Sequence, residues 1–140
     1  MFKKIFTKKN KENNDNKNVL IAALLIHAAK IDNSYTNVEK EIIKKALMNL
    51  NTITTIQAEE LLKEAEKKEQ ESNQILEFTK EIKKNPMQFR LNIIEILWKI
   101  VYSDGISDSY ESNLIRRVCG LLYVSDKDSG KIKLKIQNLK

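Results

Sequence analysis

The sequence predicts an all-α fold, a pseudo-twofold bundle of about seven helices built from two duplicated helix–loop–helix halves. Three observations predict it. Only three Gly and one Pro punctuate 140 residues, while Leu, Ile, Lys and Glu dominate, the composition of helices rather than strands. Apolar residues recur at helical spacing along most of the chain. Finally, Ile21–Leu50 lies over Ile93–Leu122 without a gap, so that Ile21, Leu25, Asp32, Glu39, Ile43 and Leu50 fall on Ile93, Leu97, Asp104, Glu111, Ile115 and Leu122. Each copy reads as an apolar helix, a short acidic turn and an amphipathic helix. The length suits one domain with a real core. A basic, flexible tail is expected over 1–18 and the helical domain over 19–140.

The tail opens with Phe2-Lys3-Lys4-Ile5-Phe6 and continues through Asn10–Asn18, which holds no apolar residue and reads as a linker. The first helix, about 19–31, is apolar on nearly every side until His27 and Lys30, which places it in the middle of a bundle. The second, about 37–50, carries Val38, Ile42, Ile43, Ala46, Leu47 and Leu50 as its buried stripe. Thr54 with Gln57 forms a capping box for the third, about 55–70. Its narrow face of Ala58, Leu61, Leu62 and Ala65 and its Glu/Lys remainder put it on the outside. Ser72 is the cap expected for a fourth helix that buries Ile75, Leu76, Phe78, Thr79 and Ile82. Pro86 suits the first position of the fifth, about 86–103, which is the other central helix. The sixth spans about 109–122. Ser125 with Asp128 caps a seventh through Ile132, Ile136 and Leu139, although Ile132, Leu134 and Ile136 also alternate as a strand would and Gly130 weakens a helix.

Charge excludes some functions. The net +6 sits at the two ends, with +4 in 1–18 and +4 in 131–140 against −2 in the body between them. A helical nucleic-acid reader would carry Arg and Lys along a body helix, and this chain has three Arg in all, so no nucleic acid is expected as partner. Lone Cys119 excludes an internal disulfide and suggests a reducing compartment. No secretory signal follows Met1–Phe6, and the longest apolar run, Val19–Ile26, is too short to span a bilayer. The expected location is cytoplasmic, with contact at the inner face of the membrane as the alternative through Phe2, Ile5, Phe6 and the tail lysines.

The two turns hold the candidate chemistry. The first reads Asp32-Asn33-Ser34-Tyr35-Thr36-Asn37-Val38-Glu39, the second Asp104-Gly105-Ile106-Ser107-Asp108-Ser109-Tyr110-Glu111. In each, an acid leaves the helix, a residue tolerant of positive φ follows, and a cap candidate (Thr36 or Asp108) precedes Glu39 or Glu111 by three. One reading makes both turns capping boxes. The other makes them a divalent-cation site, Ca²⁺ foremost, with Asp104, Asp108 and Glu111 as charged ligands and Asp32 and Glu39 as the poorer set, because hard cations take oxygen ligands. The spacing is not that of an EF-hand. His27, the only histidine, reads as a core or helix-edge imidazole. Cys119 reads as a small buried hydrophobe, and Trp98 with Tyr102 as core. With no nucleophile–base pair or phosphate-binding Gly loop, no enzyme is expected.

The run Leu-Trp-Lys-Ile-Val-Tyr-Ser-Asp-Gly-Ile-Ser-Asp-Ser-Tyr-Glu (97–111), leading into Leu-Ile-Arg-Arg-Val and Leu-Leu-Tyr-Val-Ser, resembles the tellurite-resistance TerB family, in particular small stand-alone bacterial TerB-like proteins. Ala-Ala-Leu-Leu-Ile-His-Ala-Ala-Lys-Ile-Asp (22–32), Glu39 and Glu77–Thr79 extend the resemblance over about 19–128. It implies an all-helical fold of two related halves with acidic residues proposed to bind metal, and a stress-response or protein-interaction role with an unknown protein partner. Asn33 stands where the family pattern has Gly. The J-domain co-chaperones that carry a related domain have a His-Pro-Asp motif that this chain lacks.

Overall fold

The computed structural model describes residues 17–32, 35–51, 53–71, 75–104 and 109–138, and not the side chains of Asp32, Asn51, Asp104, Ser109, Tyr110 and Glu111. Among these residues there are seven α-helices and no strand: α1 (17–29), α2 (Asn37–Asn51), α3 (Thr55–Glu71), α4 (Ile75–Ile82), α5 (Met87–Val101), α6 (Ser109–Leu121) and α7 (Asp126–Asn138). Short 3₁₀ turns, Lys30–Asp32 and Tyr102–Asp104, prolong α1 and α5. The 3₁₀ turn at Lys30–Asp32 precedes α2 and the one at Tyr102–Asp104 precedes α6.

The core follows from the two most apolar segments. Ile21–Ile26 of α1 is wholly buried, and Ile93, Ile94, Ile96, Leu97, Trp98, Ile100 and Val101 of α5 join it in one cluster with α2, α3, α4, α6 and α7. α5 packs against α2, α6 and α7, α3 packs on α2, and α4 packs on α6. Lys17 Nζ joins the start of α1 to the start of α5, donating to Asn85 Oδ1 at 2.6 Å and lying 4.6 Å above the Phe89 ring. Asn18 is buried too, so the packed body already includes residues assigned above to the tail.

Several helix ends follow the sequence logic. Thr54 and Gln57 close a reciprocal capping box, with Thr54 N donating to Gln57 Oε1 at 2.9 Å and Gln57 N to Thr54 Oγ1 at 3.2 Å. Ser125 Oγ accepts from Asp128 N at 3.1 Å, and its cap decides the C-terminal segment as helix rather than strand. The proposed Ser72 cap lies outside the described residues. Pro86 is not the first helical residue. Its extended conformation (φ −56°, ψ 156°) makes it the N-cap, with its carbonyl accepting from Phe89 N and Arg90 N. α6 ends in a Schellman motif, Val124 N to Cys119 O at 2.9 Å and Tyr123 N to Gly120 O at 3.4 Å, with Tyr123 at φ 57° where glycine is usual. Arg90 ties that end to α5, donating to Leu122 O at 2.7 Å and Asn85 O at 3.0 Å.

Three burial expectations are corrected. Val38 is 60% exposed because the centre of α2's stripe is Glu39–Ile43–Leu47, which leaves 38, 42, 46 and 50 on its rim. Leu76 is 64% exposed, since α4 centres on Ile75, Phe78, Thr79 and Ile82. Glu69, grouped by sequence with the solvated remainder of α3, is buried. Trp98 and Tyr102 are core as expected. Their rings stack at 5.8 Å, Trp98 Nε1 donates to Ser129 Oγ at 3.2 Å, and Gln137 Nε2 donates to Tyr102 OH at 2.8 Å.

Candidate functional site

The first acidic turn is a structural junction. Thr36 and Glu39 form a capping box in which Glu39 Oε1 accepts from Thr36 N at 2.9 Å and Thr36 Oγ1 at 3.0 Å, while Glu39 N donates to Thr36 Oγ1 at 3.2 Å. The Glu39 residue is buried, so this carboxylate serves the helix end. Asp32 closes the preceding 3₁₀ turn.

Around this cap the fold assembles a charged cluster that the sequence reading missed. Tyr35 OH donates to Glu66 Oε1 of α3 at 3.2 Å, and Lys40 lies 4.8 Å above the Tyr35 ring. Lys30 Nζ meets Glu69 Oε2 at 2.8 Å, and His27 Nδ1 lies 3.3 Å from Glu69 Oε1. Burial, then the Glu66 charge and its hydrogen bond, then the charges of Glu39 and Glu69, hold the Tyr35 phenol well above its ordinary value of 10.0. The Lys30 ammonium and the His27 imidazole thus partner an acid that helix burial would otherwise strand. A signal for this was present: Glu69 follows Ala58, Leu62 and Ala65 in i+3/i+4 steps, so it stands on the buried stripe of α3. His27 also lies 6.2 Å from the Phe78 ring, at the edge of the core.

In the second turn, Asp104 closes the 3₁₀ turn after α5 and Glu111 lies in the first turn of α6. Asp108 and the side chains of Asp32, Asp104 and Glu111 lie outside the described residues, and so does the Asp108/Glu111 capping box. Among the described residues, no three His, Cys, Asp or Glu side chains are grouped as metal ligands. Cys119 is buried, and that burial pushes its thiol up, a contact with Ser129 opposing. Such a thiol is a packing group rather than a nucleophile.

A different surface is open. Ile42, Lys45, Ala46, Asn49 and Leu50 of α2 and Asn92, Glu95, Ile96 and Lys99 of α5 line a groove of about 420 Å³. Its floor is aliphatic and its rim is polar, the usual arrangement of a binding groove. Glu95 is held by Lys135 at 2.9 Å, whereas neither Lys45 nor Lys99 makes an ion pair among the described residues.

Residues 18–134 match the family model described as tellurite resistance protein TerB, nearly the whole helical body. The chain belongs to the TerB family. Searches of the curated proteins and of the solved structures gave no match. In this TerB chain no described helix is long and apolar enough to cross a membrane.

Proposed function

We propose that this TerB-family chain is a non-catalytic protein-interaction module acting in a stress response of the tellurite-resistance kind. The observation that carries the reading is the groove between α2 and α5, where the half-buried Ile42, Ala46 and Leu50 and the neighbouring Ile96 form an apolar floor. The polar clusters elsewhere support structure: Glu39 caps α2, and Glu69 ties α3 to α1. The test is survival on tellurite of cells lacking the gene. The parent chain should restore it, and Ala46→Arg, which fills the groove, should not. Equal survival with and without the gene rejects the stress role, and full rescue by a folded Ala46→Arg chain rejects the groove as its working surface.

A second reading adds a divalent cation at the second turn, held by Asp104, Asp108 and Glu111. What favours this turn over the first is that Glu39 already serves as a buried cap and that Asp108 stands where the first turn has Thr36. Affinity belongs in the ~10⁻⁴ to 10⁻³ M range of poorly enclosed calcium sites. Calorimetric titration with Ca²⁺ or Mn²⁺ should show binding that Asp104→Asn removes with little change in stability. Silence at millimolar metal leaves the turns as caps. The membrane-adaptor alternative rests on residues 1–18 and is tested by flotation with anionic vesicles, before and after their removal.

A further inference from the structure

The groove's aliphatic stripe can be compared with a stripe on α6 of the same chain. In the gapless register of the two halves, Ile42, Ala46 and Leu50 of α2 correspond to Leu114, Val118 and Leu122 of α6 and its end. Those three are buried at 5%, 0% and 0% exposure, and α4 packs on α6. Their equivalents on α2 are only half-buried, with α2 packed against α3 and α5, whereas α6 packs against α4, α5 and α7. From Ile42 to Leu50 the open stripe runs about 12 Å, the length of the eight-residue α4. A helix laid along this stripe would need about two to three turns to cover it.

Charge selects among the possible occupants. Lys45 and Lys99 line the groove and make no ion pair among the described residues, and Glu95 on the same lining is paired with Lys135. The chain's own start, with Lys3, Lys4, Lys8 and Lys9, would bring like charge to that rim. A second copy docked by twofold symmetry would set its own Lys45 and Lys99 against the same rim, which like charge disfavours. We propose that the α2–α5 groove binds a short amphipathic helix of a partner protein, with aliphatic residues at i, i+4 and i+7 on Ile42, Ala46, Leu50 and Ile96 and carboxylates meeting Lys45 and Lys99. This deepens the interaction-module reading and rests on it. The mode is helix-in-groove, in which apolar anchors supply affinity and rim charges supply selectivity.

The test uses a phage-displayed library of short helical peptides of unbiased charge, panned against the full chain. Enriched peptides should carry the aliphatic spacing with net negative flanks, and the best of them should bind the Lys45→Glu/Lys99→Glu chain at least tenfold more weakly by fluorescence anisotropy. Both lysines are exposed, so this variant keeps its fold where Ala46→Arg could fail to, and circular dichroism verifies both. Panning the reversed chain should yield basic peptides instead. Groove-dependent peptides of neutral or basic charge on the parent overturn the acidic-helix proposal while leaving the interaction module standing. No enrichment, or enrichment that survives Ala46→Arg, overturns both. A parent that is dimeric by light scattering, or that binds tenfold better once residues 1–16 are deleted, assigns the groove to a second copy or to the chain's own start and likewise refutes the proposal.

Discussion

Two capping boxes in this chain share the reciprocal backbone-to-side-chain pair of hydrogen bonds in different surroundings, and comparing them tests the structural reading of the first acidic turn. Thr54 and Gln57 are both exposed, so Thr54→Ala loses an ordinary N-cap, worth about 1 kcal/mol or less. Thr36→Ala loses the same cap and also removes the hydroxyl that donates to the buried Glu39 carboxylate at 3.0 Å. A hydrogen bond to a charged group contributes about 1.5 kcal/mol, so the total is about 2.5 kcal/mol. Urea unfolding followed by far-UV circular dichroism should give that difference between the two variants at unchanged m. Thermal midpoints should fall by roughly 7 °C for Thr36→Ala and by roughly 3 °C for Thr54→Ala. Glu39→Gln keeps an acceptor at the cap and should lose less than Thr36→Ala. Millimolar Ca²⁺ should leave all these differences unchanged. Equal losses for the two threonines, or a Thr36→Ala cost that appears only when calcium is present, would refute the assignment of Glu39 to capping.

Leu25→Ala and Leu97→Ala, both at 0% exposure, should each cost roughly 2–5 kcal/mol in urea unfolding, and midpoints equal to the parent's would show that α1 and α5 are not the core. Gly130 lies inside α7 with nothing within 4 Å of an added Cβ, so Gly130→Ala should raise stability by about 0.8–1 kcal/mol in the same assay. Tyr35 sets an alkaline limit. Its folded phenol is raised above the ordinary value of 10.0, so above that pH the unfolded chain sheds a proton that the folded one keeps, and stability falls as the pH rises. Tyr35→Phe should flatten that slope between pH 10 and 11, at a cost near neutrality of about 1 kcal/mol from the lost bond to Glu66.

Helix positions and the core were legible because periodicity and local caps act within a few residues. Val19–Ile26 could only be buried, and Thr54/Gln57 could only serve a helix start. The Thr36/Glu39 box was legible for the same reason, since both partners lie within one helical turn. The exposure of Val38 and Leu76 was not, because an apolar side chain reads alike at the centre and on the rim of a stripe, and only the packed neighbour decides which it is. The Glu69 cluster joins residues of α1, the first turn and α3 that are distant in sequence, and burial gives it energetic weight only once those elements dock. The groove is likewise tertiary. Ile42 and Leu114 read alike as aliphatic positions on amphipathic helices, and the packing of neighbouring helices decides that Leu114 is buried while Ile42 is only half-buried.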